Sequence, residues 1–219
     1  MNYETSWYPA NRAAYELVRS GAIGELRKVV VHDGHEGPKE IGVGPEFLGW
    51  LADPKLNGGG ALFDFGCYGA DLMTVLTDGA RPLTVTAVTQ TIKPEVYPRV
   101  DDEATMVLTY QKAQAILQAS WNWPYSRKDM EVYGRTGSVV TIANNDISVR
   151  LPHEKQATTK TAEPIPTPYN DSLTYLRAVL LDGAKVDGYS SLETNVIVTE
   201  ILDAARRSAA SGQTVRLPQ

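Results

Sequence analysis

The run Gly58-Gly59-Gly60-Ala61-Leu62-Phe63-Asp64-Phe65-Gly66-Cys67-Tyr68-Gly69-Ala70-Asp71 constrains this chain more than any other stretch. Three consecutive glycines permit a backbone path that side-chain-bearing residues follow only at a cost. An apolar-rich segment then runs to Leu76, long enough for three to four helical turns. On one continuous helix Asp64, Tyr68 and Asp71 fall at i, i+4 and i+7 and share a face. Gly66 and Gly69 lie inside that helix, where each costs roughly 1 kcal/mol against alanine. Such a cost is offset where another backbone or a ligand approaches closely. A carboxylate and a phenol one turn apart suit a site that handles an alcohol proton. The same residues also suit plain packing, with Asp64 complementing the helix dipole and Tyr68 as an amphipathic core residue.

With 219 residues, 42% hydrophobic and 21% charged, the chain can bury one sizeable core. We read residues 1–219 as a single domain. The net charge of −5 and the lack of a basic cluster argue against a nucleic-acid partner. One cysteine forms no internal disulfide, which fits a reducing compartment. No apolar run reaches the ~20 residues of a membrane span, and the N-terminus has no signal-peptide pattern. A cytoplasmic setting is favoured, although a targeting signal upstream would be out of view.

Pro9 and Gly21 bracket a helix whose apolar stripe is Ala10, Ala13, Ala14, Leu17 and Val18. Strands are expected over 26–32, 83–90, 104–110, 113–121, 130–133, 139–143 and 147–151, several joined by short turns that impose antiparallel pairing. Residues 33–57 read as an irregular stretch with a short helix near 46–51, and 152–168 as a loop. Asn170-Asp171 caps a helix reaching Leu181. Ser190-Ser191-Leu192-Glu193 is a capping-box pattern that opens the last helix, with Leu192, Val196, Ile201, Leu202 and Ala205 as its buried side. The expected class is α+β, a large, open, mostly antiparallel sheet with helices packed on one face.

His32, Asp33, His35 and Glu36 invite a metal reading, but H-x-x-H alone is a weak signal, and polar groups lining a sugar pocket fit better. No metal is expected. Trp121-Asn122-Trp123 with Tyr125 and Arg127 form a second candidate wall, with Trp121 assigned to the core. Cys67 has no partnering base in the sequence and reads as a small buried thiol. Thr105, Val107 and Thr109, with Gln114, Ile116, Gln118 and Ser120 on the next strand, make faces too apolar for pure solvent and too polar for a core. They suit a sheet-to-sheet contact between subunits.

The glycine stretch resembles the G-G-G-x-x-x-D-x-G-x-[HY] signature of the glucose–fructose oxidoreductase / inositol dehydrogenase family. The likeness extends to Tyr8-Pro9-Ala10-Asn11-Arg12, Ser20 to Glu25, Tyr133 to Ser138 and Ala209 to Val215. This resemblance implies the substrate-binding domain of an NAD- or NADP-dependent oxidoreductase of sugars or polyols. It implies Tyr68 as acid/base with Asp64 beside it, as in the glucose–fructose oxidoreductase branch, where tyrosine replaces histidine. Substrate contacts are expected from His35, Trp50, Trp123, Asn122, Arg127 and Arg12, and minor cofactor contacts from Gly59, Gly60 and Tyr8. Asp71 is expected to be structural. The family's N-terminal dinucleotide-binding domain has no counterpart here: Gly42-Val43-Gly44 is the nearest approach to a phosphate loop, and the Glu-Lys-Pro segment bearing the family's lysine is missing. Met1 to Thr5 matches the point where the family's chain leaves that domain, so the chain reads as a C-terminal portion, inactive alone, forming a homodimer or homotetramer through the open sheet face. Alternatives are an NAD-dependent glycosidase of the same family and a non-catalytic sugar-binding or scaffold module.

Overall fold

The computed structural model describes residues 3–218, so the first two residues of the Met1–Thr5 segment lie outside it. The elements in order are a 3-10 turn Glu4–Trp7, α1 (Pro9–Arg19), β1 (Leu26–Gly34), α2 (Pro45–Leu51), α3 (Ala61–Asp64), α4 (Gly66–Leu76), β2 (Thr84–Gln90), β3 (Glu103–Thr109), β4 (Gln114–Ser120), β5 (Arg127–Gly134), β6 (Ser138–Ile142), β7 (Asp146–Arg150), β8 (Thr158–Thr161), α5 (Ser172–Leu181), a 3-10 turn Gly188–Ser190, α6 (Leu192–Ser211) and β9 (Val215–Arg216). The described strands form one sheet in the order β8-β7-β6-β5-β1-β4-β3-β2-β9. It is the α+β arrangement expected, an open and mostly antiparallel sheet.

One pairing departs from the expected antiparallel scheme. β1 lies in the middle of the sheet, antiparallel to β5 and parallel to β4. Short turns dictate only the neighbours they join, and β1 is separated from β4 by the helices and two strands, so nothing local sets its direction. β8 and β9, in segments without a strand pattern, extend the two edges.

Alternation along the strands sorts the two faces. Val29 and Val31, Ala104, Met106 and Leu108, Ala115, Leu117 and Ala119, and Met130 and Val132 are all buried. On the sheet pack α4 against β4 and β1, α6 against β2, and α1 against β6 and β7. Trp121 continues the buried row of β4, as expected. Thr105, Val107, Thr109, Ile116 and Gln118 stay half-buried on the other face, where the Thr84 and Thr109 hydroxyls bond each other.

The long glycine helix is broken. α3 ends at Asp64, Phe65 is the joint, and α4 begins at Gly66. The glycines inside α4 answer to the sheet and not to a ligand. A Cβ on Gly66 would lie 2.7 Å from Met106 Cε, and one on Gly69 3.1 Å from Leu117 Cδ2. Gly60 is tighter still, since its Cβ would fall 1.8 Å from the carbonyl oxygen of Asp101. Asp171 caps α5 by accepting from Leu173 and Thr174 N–H. The cap of α6 is Ser191, accepting from Thr194 N–H, one residue later than a box read from Ser190. Leu192 and Val196 face outward, and Thr194, Ile197, Val198, Ile201, Leu202, Ala204 and Ala205 form the buried side.

Because backbone cannot yield as a methionine terminus can, Gly60→Ala and Gly66→Ala should differ. Denaturant melts of the two variants should show Gly60→Ala losing about 3 kcal/mol or more, the upper range for single substitutions, and Gly66→Ala clearly less. Equal losses would mean that the Asp101 contact does not set the requirement for glycine.

Candidate active site

The site is built on the end of β1. Val29, Val31 and Asp33 alternate toward the helices, and Asp33 is the Cα partner of Lys128 on β5 and of Ala119 on β4. The strand pleat therefore brings Asp33 and Lys128 to the helix-covered face, beside the joint between α3 and α4. Asp33 is fully buried, and its Oδ2 has no hydrogen-bond partner. Burial holds its carboxyl well above the usual range, with Lys128 pulling against that rise and Asp129 and Glu4 adding to it.

Asp64 sits at the joint. Its Oδ2 accepts from Trp121 Nε1 at 2.9 Å. Burial raises its pKa to about 6, while the Trp121 bond and the charge of Lys128 act in the opposite direction. A carboxyl in that range changes charge near neutrality, as a general base must. Tyr68 follows in the first turn of α4, edge-on to Phe65 at 5.9 Å and to Tyr3 at 6.4 Å between centroids. Its phenol is pushed far up by burial first, then by Cys67, Asp64, Glu4 and Asp33. Tyr68 thus keeps its proton at neutral pH and is a donor. The Lys128 ammonium lies 5.3 Å from the Tyr68 ring centroid and 5.8 Å from that of Phe65. It also pairs with Glu4, whose other oxygen accepts from Tyr8 Oη at 2.6 Å.

His35 completes this side. Its ring stands edge-on to Phe65 at 4.8 Å. Nδ1 accepts from Gly37 N–H at 2.9 Å, which leaves the proton of the neutral ring on Nε2. Burial, and then Lys128, lower its pKa. Cys67 donates its thiol to the Asp64 carbonyl at 3.2 Å, and burial raises its pKa well above the usual value. Asp71 is enclosed and accepts from Ser6 Oγ at 3.0 Å, tying the first turn to α4.

Several expected residues stand elsewhere. Arg127 points to the open face, where its guanidinium forks onto Asp129 at 2.6 and 3.0 Å beside His32. The parity that brings Lys128 inward sends Arg127 outward. Asn122 spends its amide on Asp102 and Glu103, bracing the entry to β3. The Trp123 backbone N–H donates to the His35 carbonyl oxygen, and its ring covers Gly34. Trp50 is 45% exposed and stacks on Phe47 within α2. Arg12 pairs with Glu16 and lines a separate cleft of about 350 Å³ with Trp7, Tyr15, Tyr175 and Tyr189. Tyr8 joins the site through Glu4. No group of three or more His, Cys, Asp or Glu side chains that could hold a metal exists among the described residues.

Gly59 and Gly60 do not leave an open anion cradle. Three successive amides, Gly60, Ala61 and Leu62, donate to Asp101 Oδ1, O and Oδ2 at 3.0, 2.9 and 2.7 Å. An internal carboxylate thus takes the place that a phosphate would need at this helix end.

Glu4 and Lys128 were missed in the sequence, and Asp33 was read only as one of several polar groups lining a sugar pocket. The available signal was parity: Asp33 follows Val29 and Val31 in step, and Lys128 precedes Met130 and Val132 in step, each a charge at a core-facing position.

The fold and this cluster define an open-sheet α+β domain with a buried carboxyl, phenol and ammonium at the end of its central strand. Residues 11–140 match the family described as the GFO/IDH/MocA C-terminal domain. The chain belongs to that family, as its C-terminal domain. Similar solved structures include an aldose–aldose oxidoreductase from Caulobacter crescentus complexed with glycerol, 25% identical, with a TM-score of 0.80 over 99% of this chain and 63% of that one. An oxidoreductase from Agrobacterium radiobacter in complex with NAD+, L-tartaric acid and magnesium is 20% identical, with a TM-score of 0.74 over 98% and 64%. A levoglucosan dehydrogenase complexed with NADH and levoglucosan is 20% identical, with a TM-score of 0.75 over 98% and 65%. The chain therefore spans less than two thirds of each of these proteins. A search of curated proteins returns no match.

The Trp121 donor stabilises the charged form of Asp64, so Trp121→Phe should raise the Asp64 midpoint from about 6. Carbon-13 carboxyl titration of the variant would read the change, and an unmoved or lowered midpoint would contradict the electrostatics described.

Proposed function

We propose that this domain forms the substrate wall of an NAD(P)-dependent oxidoreductase acting on a sugar or polyol hydroxyl, with Asp64 and Tyr68 handling the proton. The observation that carries this proposal is the buried Asp64 carboxyl, poised at about 6, beside a phenol that stays protonated. Alcohol oxidation releases a hydride from carbon and a proton from oxygen. A nicotinamide supplies the hydride acceptor. The amides of Gly60 to Leu62, already donating to Asp101, give it no pyrophosphate cradle in this stretch. What this domain contributes is the polar side. Tyr68 donates to the substrate oxygen, Asp64 takes the proton when ionised, and His35 Nε2–H offers a further donor. The aromatic edges of Phe65 and Tyr68 keep water from the group being oxidised. The resemblance to the glucose–fructose oxidoreductase branch supports the same pair, and the glycerol- and levoglucosan-bound neighbours support a hydroxyl-rich ligand.

In the enzyme formed when this domain is joined to a dinucleotide-binding domain, Tyr68→Phe and Asp64→Asn should each lower kcat by 10²–10⁴-fold, the range of acid–base groups, with a smaller change in KM. Turnover within about threefold of wild type, well short of that range, would return Tyr68 to packing. By itself the 219-residue chain should not bind NAD or NADP at micromolar concentration, and titration calorimetry showing such binding would overturn the assignment of the cofactor to another domain. The half-buried face of Thr105, Val107, Thr109, Ile116 and Gln118 should pair with a second copy. Light scattering should give a dimer or tetramer of the 23.9 kDa chain; a monomer at high micromolar concentration would rule this face out as a strong interface.

A further inference from the structure

A lysine on the covered face of a sheet needs a reason. Lys128 occupies the position in step with Met130 and Val132, both fully buried, where an apolar residue would complete the row. Its side chain is only 18% exposed. A cation kept there loses hydration that must be made good by partners. Those partners are Glu4 of the first turn and the rings of Phe65 and Tyr68 at the α3–α4 joint, while Asp33 lies opposite in the β1–β5 register and draws on the same charge. The arrangement is an ammonium paired with Glu4 and set against two aromatic rings, on the same buried face as Asp33, whose Oδ2 has no hydrogen-bond partner.

We propose that Lys128 is a positioning residue of the Asp64–Tyr68 site, anchoring the Glu4–Trp7 turn across the phenol and supplying the positive charge around which Glu4, Asp33 and Asp64 are arranged. The reaction assigned to it rests on the function proposed above; the electrostatic arrangement does not. Burial opposes the ionisation of Asp33 and of Asp64, and Glu4 and Asp129 add to the rise at Asp33. The Lys128 ammonium acts against that rise at both carboxyls, adding at Asp64 to the Trp121 hydrogen bond. The same charge reaches His35, where it opposes ring protonation against the contrary pull of Glu36 and Glu40. Lys128 acts through Asp64, Tyr68 and His35 rather than on the reacting atoms.

The test uses the 219-residue chain with ring-labelled histidine, in which His32, His35 and His153 are the only imidazoles. Lys128→Met should raise the His35 midpoint by about half a pH unit or more, as loss of a neighbouring cation does. Lys128→Arg, which keeps the charge, should titrate close to wild type. A His35 midpoint unmoved in Lys128→Met, or moved equally in Lys128→Arg, overturns the proposal. If the methionine variant does not fold, Lys128→Gln carries the same comparison. In the enzyme joined to a dinucleotide-binding domain, Lys128→Met should move the acid limb of kcat/KM to higher pH. A limb displaced by about one pH unit lowers the rate on the order of tenfold below its midpoint, and Lys128→Arg should restore it. A displaced His35 midpoint without any effect of Tyr68→Phe on turnover would reject the proposed reaction and keep the charge arrangement. An unmoved His35 with a strong Tyr68→Phe effect would do the reverse.

Discussion

Asp101 is the residue on which the candidate site hangs. Its carbonyl and both carboxylate oxygens accept from three successive amides at the start of α3. A short helix of four residues has little stability of its own, since nucleation fixes several residues for one hydrogen bond. The Asp101 contacts supply what the helix lacks, and they demand that the residue at position 60 have no side chain. Asp101 is followed by Asp102, whose carboxylate takes the amides of Ile92 and Lys93. Two adjacent acids therefore fix the entry of β3 to the helix start on one side and to the preceding loop on the other.

From that anchor the chain turns at Phe65 and enters α4, which lies close on the sheet because Gly66 and Gly69 leave room for Met106 and Leu117. Close packing has a chemical consequence. It buries Asp64 against Trp121 and crowds Tyr68, Cys67 and Asp33 into a region with little water, which raises the pKa of each of these groups. The glycines thus act on the chemistry indirectly. They set how near the helix sits, and the distance sets the dielectric in which the carboxyl and phenol ionise.

The first turn closes the site from the other side. Ser6 bonds Asp71, Tyr3 stands edge-on to Tyr68, and Glu4 reaches Lys128. The segment before α1 is therefore part of the site wall. Its three contacts engage α4 and β5 together, so a shift of either element would be felt at Tyr68.

The sequence by itself determined the class of fold, most of the strands, and the caps near Asp171 and Ser191. These follow from local periodicity, turn chemistry and one glycine signature, all of which act over a few residues. Only the tertiary structure decided that β1 runs parallel to β4, that the glycine helix breaks at Phe65, and that Leu192 and Val196 face outward. It also decided the composition of the site. Arg127 and Lys128 are neighbours in the chain, both ahead of the strand expected from Met130, yet one meets Asp129 on the open face and the other meets Tyr68. The difference is a matter of register between β1 and β5, and register between strands ninety-odd residues apart is set by how two hydrophobic rows meet, which no local pattern contains.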